Sequence, residues 1–391
     1  MPSKIEWTDE TWNFERARNK ATGRVGHFCV KVSAGCQGCY AERLQKRFGN
    51  RIRYAAQDRD KVDLFLDEKV LTQPLRWRKP RVVFPCSMTD LFGEWVSDDD
   101  LHRAFAVMSL TPRHTYKVLT KRPERMRDFI NNDPRDAINA AAGTLMHWDA
   151  MPQRDDWPMH NVQLFVSVED QPSADARVPL LLDTPAAVRG VSYEPALGPV
   201  DFTPWLPGCY ECGLSCGRRL GQRPDRERCT ECGEECGPET EPVISEGCPK
   251  CSGELEAVCP DCGHYMVYQH PDTPYLDQVI AGGQSGPEAE PSHPAWFRQA
   301  RDQCVAAGVP FFFKQWGEWL PDAPLENGLR RGVIMKPDGT KPTPEDMEAM
   351  MAGLFDCRGF QHFTAVGKKA AGRVLDGRTW DEAPEAPASA P

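Results

Sequence analysis

Short apolar runs alternate along this chain with stretches in which apolar residues recur every three or four positions. Six runs stand out, at 81–87, 114–121, 161–170, 187–195, 276–283 and 310–316. Most end in small or polar residues, and helical periodicity follows. Leu101, Phe105 and Met108 share a helical face behind Ser97 and the acidic triplet Asp98, Asp99 and Asp100, which suits a helix N-terminus. Ala41, Leu44 and Phe48 share another. A further helix is predicted around 174–182, and Pro294 opens one that Gly308 closes. Residues 131–160 read as a surface excursion, and 366–377 as a short basic helix packed on the exterior.

Runs buried on both faces, each followed by a helix, describe parallel βα units. The predicted fold class is α/β, a full or partial (β/α) barrel. Residues 1–207 form its first part and 263–320 its last, with 208–262 inserted, 321–380 as a C-terminal extension and 381–391 as a disordered tail. Barrel sites gather at the C-terminal ends of strands. There the sequence places Cys86, Ser87, Asp90, Lys121, Arg122, Glu169, Asp170, Glu194, Gly282, Gly283, Lys314 and Gln315. One polar residue at a strand end is ordinary loop chemistry; the recurrence is what points to a site.

Composition narrows the class. No run is long enough to span a bilayer, so no membrane partner is expected. The N-terminus lacks an apolar signal core, which predicts a cytoplasmic protein. In a reducing compartment, sixteen cysteines, ten of them in CxxC pairs, mean metal rather than disulfides. Net charge is −10, against general coating of nucleic acid, but residues 1–130 hold 25 Lys and Arg against 17 Asp and Glu. A basic half can face a phosphate-bearing ligand, and equally can be a set of solvated helix faces.

Cys29, Cys36 and Cys39 form a C-x6-C-x2-C array followed by Tyr40. Four thiolates close a metal site; three leave one position open, as on a [4Fe–4S] cluster whose unique iron takes S-adenosylmethionine (SAM). Zinc with His27, or three unrelated buried thiols, fits the same spacing. A second group is denser. Residues 208–262 hold ten cysteines, including the pairs Cys209/Cys212, Cys229/Cys232, Cys248/Cys251 and Cys259/Cys262, with Cys216 and Cys236 besides. Two CxxC turns complete a four-cysteine zinc site, so this block is predicted to bind zinc and to need it to fold. Its role is either to grip nucleic acid or a protein, or to form a rigid lid.

Several segments together resemble a known family: Cys29–Tyr40 with Ala41-Glu42-Arg43, Cys86-Ser-Met-Thr-Asp-Leu-Phe92, Val118-Leu-Thr-Lys-Arg-Pro-Glu-Arg-Met126, Val166-Ser-Val-Glu-Asp170, Val191-Ser-Tyr-Glu-Pro195, Ala281-Gly-Gly-Gln-Ser-Gly286 and Phe311-Phe-Phe-Lys-Gln-Trp-Gly317. They are similar to the uncharacterised family named after phage gene products thirty-seven and sixty-eight, which is itself similar to radical-SAM proteins. The resemblance implies a radical-SAM-type barrel with a three-cysteine cluster. Such proteins usually have three residues in the first gap where this chain has six, and an aromatic where it has Gly38. By analogy, Ser87 to Asp90 meet the SAM amino group, Glu169 or Glu194 the ribose, and Gly282 and Gly283 the adenine or methionine part.

The implied chemistry is reductive cleavage of SAM and hydrogen abstraction from a nucleotide or nucleic-acid base. A flavodoxin or ferredoxin would supply the electron. Cys86 would return a hydrogen atom, or be a buried apolar side chain, and Lys121, Arg122 and Lys314 would bind an anionic substrate. Two other functions stay open: a non-catalytic zinc-rich module binding nucleic acid or protein, and an enzyme repairing DNA lesions.

Overall fold

The structure, a computed structural model, describes residues 3, 5–146, 157–207, 227–229, 235–236, 255–258, 265–266, 274–323, 332–351 and 359–384. The chain begins with β1 (Glu10–Trp12), then β2 (Glu15–Asn19), β3 (Val25–Gly26), α1 (Tyr40–Arg47) and β4 (Val62–Leu66). The helices α2 (Glu68–Leu71) and α3 (Gln73–Arg76) lead into β5 (Val82–Pro85), α4 (Asp98–Ser109), β6 (Thr115–Thr120), α5 (Pro123–Asn131) and α6 (Arg135–Met146). Next come β7 (Val162–Val168), α7 (Gln171–Leu182) and β8 (Val188–Tyr193). The insertion contributes β9 (Glu227–Cys229), β10 (Glu235–Cys236), β11 (Leu255–Val258) and β12 (Tyr265–Met266). After it stand β13 (Gln278–Gly282), α8 (Pro294–Ala307), β14 (Phe311–Gln315), β15 (Trp319–Pro321), β16 (Gly332–Met335), α9 (Pro344–Met351), β17 (Gln361–Ala365) and α10 (Lys368–Ala371).

Seven strands form one parallel sheet in the order β1-β5-β6-β7-β8-β13-β14. It curls into a half-barrel, so the partial form of the predicted architecture is the one adopted. All six apolar runs are strands of this sheet, and β1 precedes the first of them. Side chains alternate between two apolar clusters, as the two-residue period of a strand requires. Phe311 and Phe313 join the main core under the helices, while Phe312 joins Trp7, Phe84, Phe165 and Ile280 on the other face. That second cluster plugs the concave side. Below it, at the N-terminal ends of the strands, the buried Lys117 Nζ donates to Gln278 Oε1 at 2.5 Å.

The helices cover the convex side. Leu101, Phe105 and Met108 of α4, Val178 and Leu181 of α7, and Trp296, Phe297 and Cys304 of α8 are buried there. Ser97 caps α4 by accepting from the Asp100 amide at 3.1 Å, and Gly308 ends α8 at φ +67°.

Two expectations are corrected. Residues 135–146 are not a surface excursion: α6 packs on α4 and buries Ile138 and Ala142, an i, i+4 pair. The predicted basic helix is one turn, α10. Gly372 at φ +70° ends it, and the chain then runs along the free edge of β14. There the Phe313 amide donates to the Trp380 carbonyl at 2.9 Å and Phe312 bridges to Asp381. Residues 372–384 thus form a strap over that edge, and two small sheets, β3-β2-β4 and β15-β17-β16, stand apart from the seven-stranded one. Among the described residues no helix is long and apolar enough to cross a membrane.

The insertion leaves and rejoins the barrel at adjacent points, since the Leu276 amide donates to the Trp205 carbonyl at 2.9 Å. Its four strands pair in the order β10-β9-β11-β12, with Cys229 at the end of β9 and Cys236 at the end of β10. Of the predicted zinc ligands, Cys209, Cys212, Cys232, Cys248, Cys251, Cys259 and Cys262 lie outside the described residues, as does Cys216. Each predicted pair has at least one member among them, so the predicted zinc sites and their pairing lie outside the described residues.

Candidate functional site

A chamber of about 540 Å³ opens at the C-terminal ends of the parallel strands, a volume in the range of small-molecule sites. The inward-facing ends of the strands build its wall. Lys121 follows β6, Ser167 lies next to the end of β7, Ser192 next to the end of β8 with Glu194 just after it, Gly283 follows β13, and Lys314 and Gln315 end β14. The loop before α1 forms the roof and brings Cys29, Cys36 and Cys39 to the same cavity, all half-buried and none in a disulfide. Burial pushes the Cys29 and Cys39 thiols above their ordinary range.

Local chemistry shapes that roof. The Cys36 amide donates to the Ser33 carbonyl at 3.0 Å, and Cys39 is the residue on which α1 starts. The loop rests on the barrel through Ser33, whose hydroxyl donates to Glu169 at 2.8 Å. Gly35 permits this contact: a Cβ there would stand 2.6 Å from the Glu169 side chain. Glu169 is 1% exposed and also accepts from Lys121 and from Arg177 at 3.0 Å. Gly283 is likewise required by a close approach, since a Cβ would overlap the Trp316 carbonyl.

The predicted residues divide into two groups. Ser87, Asp90, Lys121, Glu194, Gly283 and Lys314 line the chamber with the three cysteines. Cys86, Glu169 and Gly282 do not. Cys86 is a core residue at φ 54°, and burial holds its thiol well above the ordinary value. Its left-handed backbone turns the chain off β5 so that Ser87, Met88 and Thr89 reach the cavity.

The cations are mostly spent on carboxylates. Lys314 Nζ lies 2.7 Å from Glu194, and Lys121 donates to Ser167 at 2.7 Å as well as to Glu169. Arg122 binds Asp90 at 2.9 Å, Glu94 at 3.0 Å and the Val30 carbonyl at 3.0 Å. Asp90 further accepts from Thr120 at 2.7 Å and from the Lys121 amide at 3.0 Å.

His27 has both ring nitrogens engaged, with Arg16 at 2.9 Å and the Glu15 carbonyl at 3.0 Å, which removes it as a fourth ligand. Among the described residues no three His, Cys, Asp or Glu side chains are gathered into a group that would hold a metal ion. A single tetrahedral ion needs four donors at roughly 2.0–2.3 Å. A cubane cluster binds each thiolate to a different iron and tolerates a wider frame. The three free thiols in the roof of the chamber match the donor chemistry of such a cluster.

Arg43, Gln284 and Ser285 were not among the predicted site residues, yet they line the chamber too. Arg43 Nη2 donates to the Ser285 carbonyl at 2.7 Å. The available signal was spacing: Arg43 lies one helical turn after Cys39, so the two share a face.

Fold and site together define a half-open parallel α/β barrel with a three-thiol loop over its mouth. The chain belongs to the family described as "Protein of unknown function (DUF5131)", whose model matches residues 2–384 and so runs through the insertion and the strap. No curated protein matches it, and no solved structure does.

Proposed function

We propose that Cys29, Cys36 and Cys39 hold a [4Fe–4S] cluster with SAM at its open iron, in a radical-SAM enzyme acting on a nucleotide or nucleic-acid base. The observation that carries this reading is the convergence of three free thiols from one loop on a single chamber at the strand C-termini. When bound, the pair would supply one-electron cleavage of SAM and hydrogen abstraction from the substrate, with the electron drawn from a flavodoxin or ferredoxin.

The chain's own residues have separable tasks. Glu169 positions the thiol loop through Ser33, because its carboxylate is committed to Ser33, Lys121 and Arg177. Glu194, oriented by Lys314 and by Gln315 at 3.3 Å, presents a carboxylate edge to a ribose or amino group. Ser87 is held by Asn13 at 3.1 Å and Tyr54 donates to the Met88 carbonyl at 2.7 Å, which fixes the loop assigned to the SAM amino end. The apolar plug of Phe84, Phe165 and Phe312 closes the floor to water.

Anaerobic reconstitution with iron and sulfide is the test. The expected product is brown protein with about four irons per chain, which releases 5′-deoxyadenosine from SAM on dithionite reduction. Cys36→Ala should lose the iron while its far-ultraviolet circular dichroism is kept. A colourless protein that takes up only zinc would overturn the reading in favour of a zinc-rich binding module.

A further inference from the structure

Anion binding at this chamber was expected from Lys121, Arg122 and Lys314, but each is already paired with a buried or half-buried carboxylate. Arg43 is different. It lines the chamber, no carboxylate pairs with it among the described residues, and its Nη1 is buried without an acceptor. A guanidinium nitrogen removed from water with nothing to donate to is costly, and an anionic oxygen from a ligand relieves that cost.

The helix that carries Arg43 continues outward. Tyr40, Arg43 and Arg47 stand on one face of α1 at i, i+3 and i+7. Tyr40 lines the chamber, Arg47 and Arg51 are exposed, and Phe48 between them is 74% exposed. Residues 40–53 hold five cations and one carboxylate, Glu42. Glu42 is occupied by Lys31 at 2.9 Å and Lys46 at 3.5 Å, and Arg53 is occupied by Asp58. Among the described residues the unpaired charge of the segment therefore falls on Arg43, which lines the chamber, and on the exposed Arg47 and Arg51, with the exposed ring of Phe48 between these two in the chain.

We infer that α1 and the loop after it are the entry track for a phosphodiester strand, with Arg43 as the innermost phosphate contact, Arg47 and Arg51 as outer ones and Phe48 as a stacking platform. Cations that follow a backbone, with an aromatic side chain offered to a base, are the pattern of single-strand recognition. The inference rests on the proposed reading in taking a base into the chamber. It goes further in requiring a polymer: a mononucleotide would reach Arg43 and leave the outer three residues unused.

The experiment is fluorescence anisotropy with labelled oligothymidylate and oligouridylate of about ten nucleotides, over a range of salt concentrations, on the full chain. Binding of either strand is expected, and the preferred one tells DNA from RNA. Replacing both outer arginines, Arg47→Ala with Arg51→Ala, should lower the log–log salt slope by about 1.4, roughly 0.7 for each phosphate no longer neutralised. Phe48→Ala should weaken binding roughly tenfold. These surface variants do not depend on whether Arg43→Ala folds. Wild-type affinity and slope in the double variant would overturn the inference, as would competition by adenosine monophosphate equal to that of the strand. Iron content is measured on the same samples, so failure of the cluster reading is seen separately from failure of strand binding.

Discussion

Glu15 shows at the scale of one residue how burial overrides a charge. It lies on β2, 4% exposed, and accepts from Thr89 and Trp95, both at 2.8 Å. Burial pushes its carboxyl up to about 8, although both hydrogen bonds act the other way. The folded protein thus keeps this proton to about pH 8, while the unfolded chain releases it near 4.5. Between those values the unfolded state gains, so this residue's contribution to stability is whole below 4.5 and lost as pH rises to about 8. Glu15→Gln should remove that loss. Its advantage over the wild type is expected to grow by about 1.4 kcal/mol per pH unit at most across the window, read from urea unfolding at about pH 5 and about pH 8. A pH-independent difference would refute the assignment. Residue type was legible throughout the site, but direction was not. Cys86 and Ser87 are adjacent at one strand end, and only Ser87 faces the chamber.

At the scale of elements, local signals served well where one face of a segment is apolar and the other is not. The six apolar strands β5, β6, β7, β8, β13 and β14, the Ser97 cap and the Gly308 stop follow from period and capping chemistry. The stripe Ile138, Ala142 and Leu145 of α6 is weak because alanines dilute it, and α4 supplies the burial that stabilises it. Asp170 stood among the strand-end polar residues, yet its task is structural. It caps α7, accepting from the Ser173 amide at 2.9 Å, while Ser173 Oγ accepts from the Glu169 amide at 2.8 Å. The cap therefore also holds the residue on which the thiol loop rests. Asp170→Ala should cost about 1 kcal/mol in urea denaturation and should speed hydrogen exchange at the amides of the 29–39 loop. Unchanged exchange there would uncouple the cap from the roof of the chamber.

For the whole molecule, an open sheet leaves two edges, and an uncovered edge invites pairing with another chain. The strap covers one of them, along β14, and Glu382 carries it to the N-terminal end of β13, where its carbonyl accepts from Gln278 at 2.8 Å. Lys368, at the head of the strap, lines the chamber and pairs with Glu6 at 3.0 Å. Deleting residues 372–384 should lower the melting temperature and produce concentration-dependent association in size-exclusion chromatography. A monomeric deletion variant of unchanged melting temperature would show that the edge needs no cover.

The six apolar strands of the main sheet, the helices α1, α4, α7 and α8 and the three-thiol array were legible in the sequence alone, because periodicity, capping and cysteine spacing are relations between near neighbours. Which charges remain free was decided only in three dimensions. Lys314 is neutralised by a carboxylate 120 residues away, and Arg43 is anchored by a carbonyl 242 residues away. No local pattern encodes such meetings, since they exist only once the sheet has curled and brought the ends of its strands around one cavity.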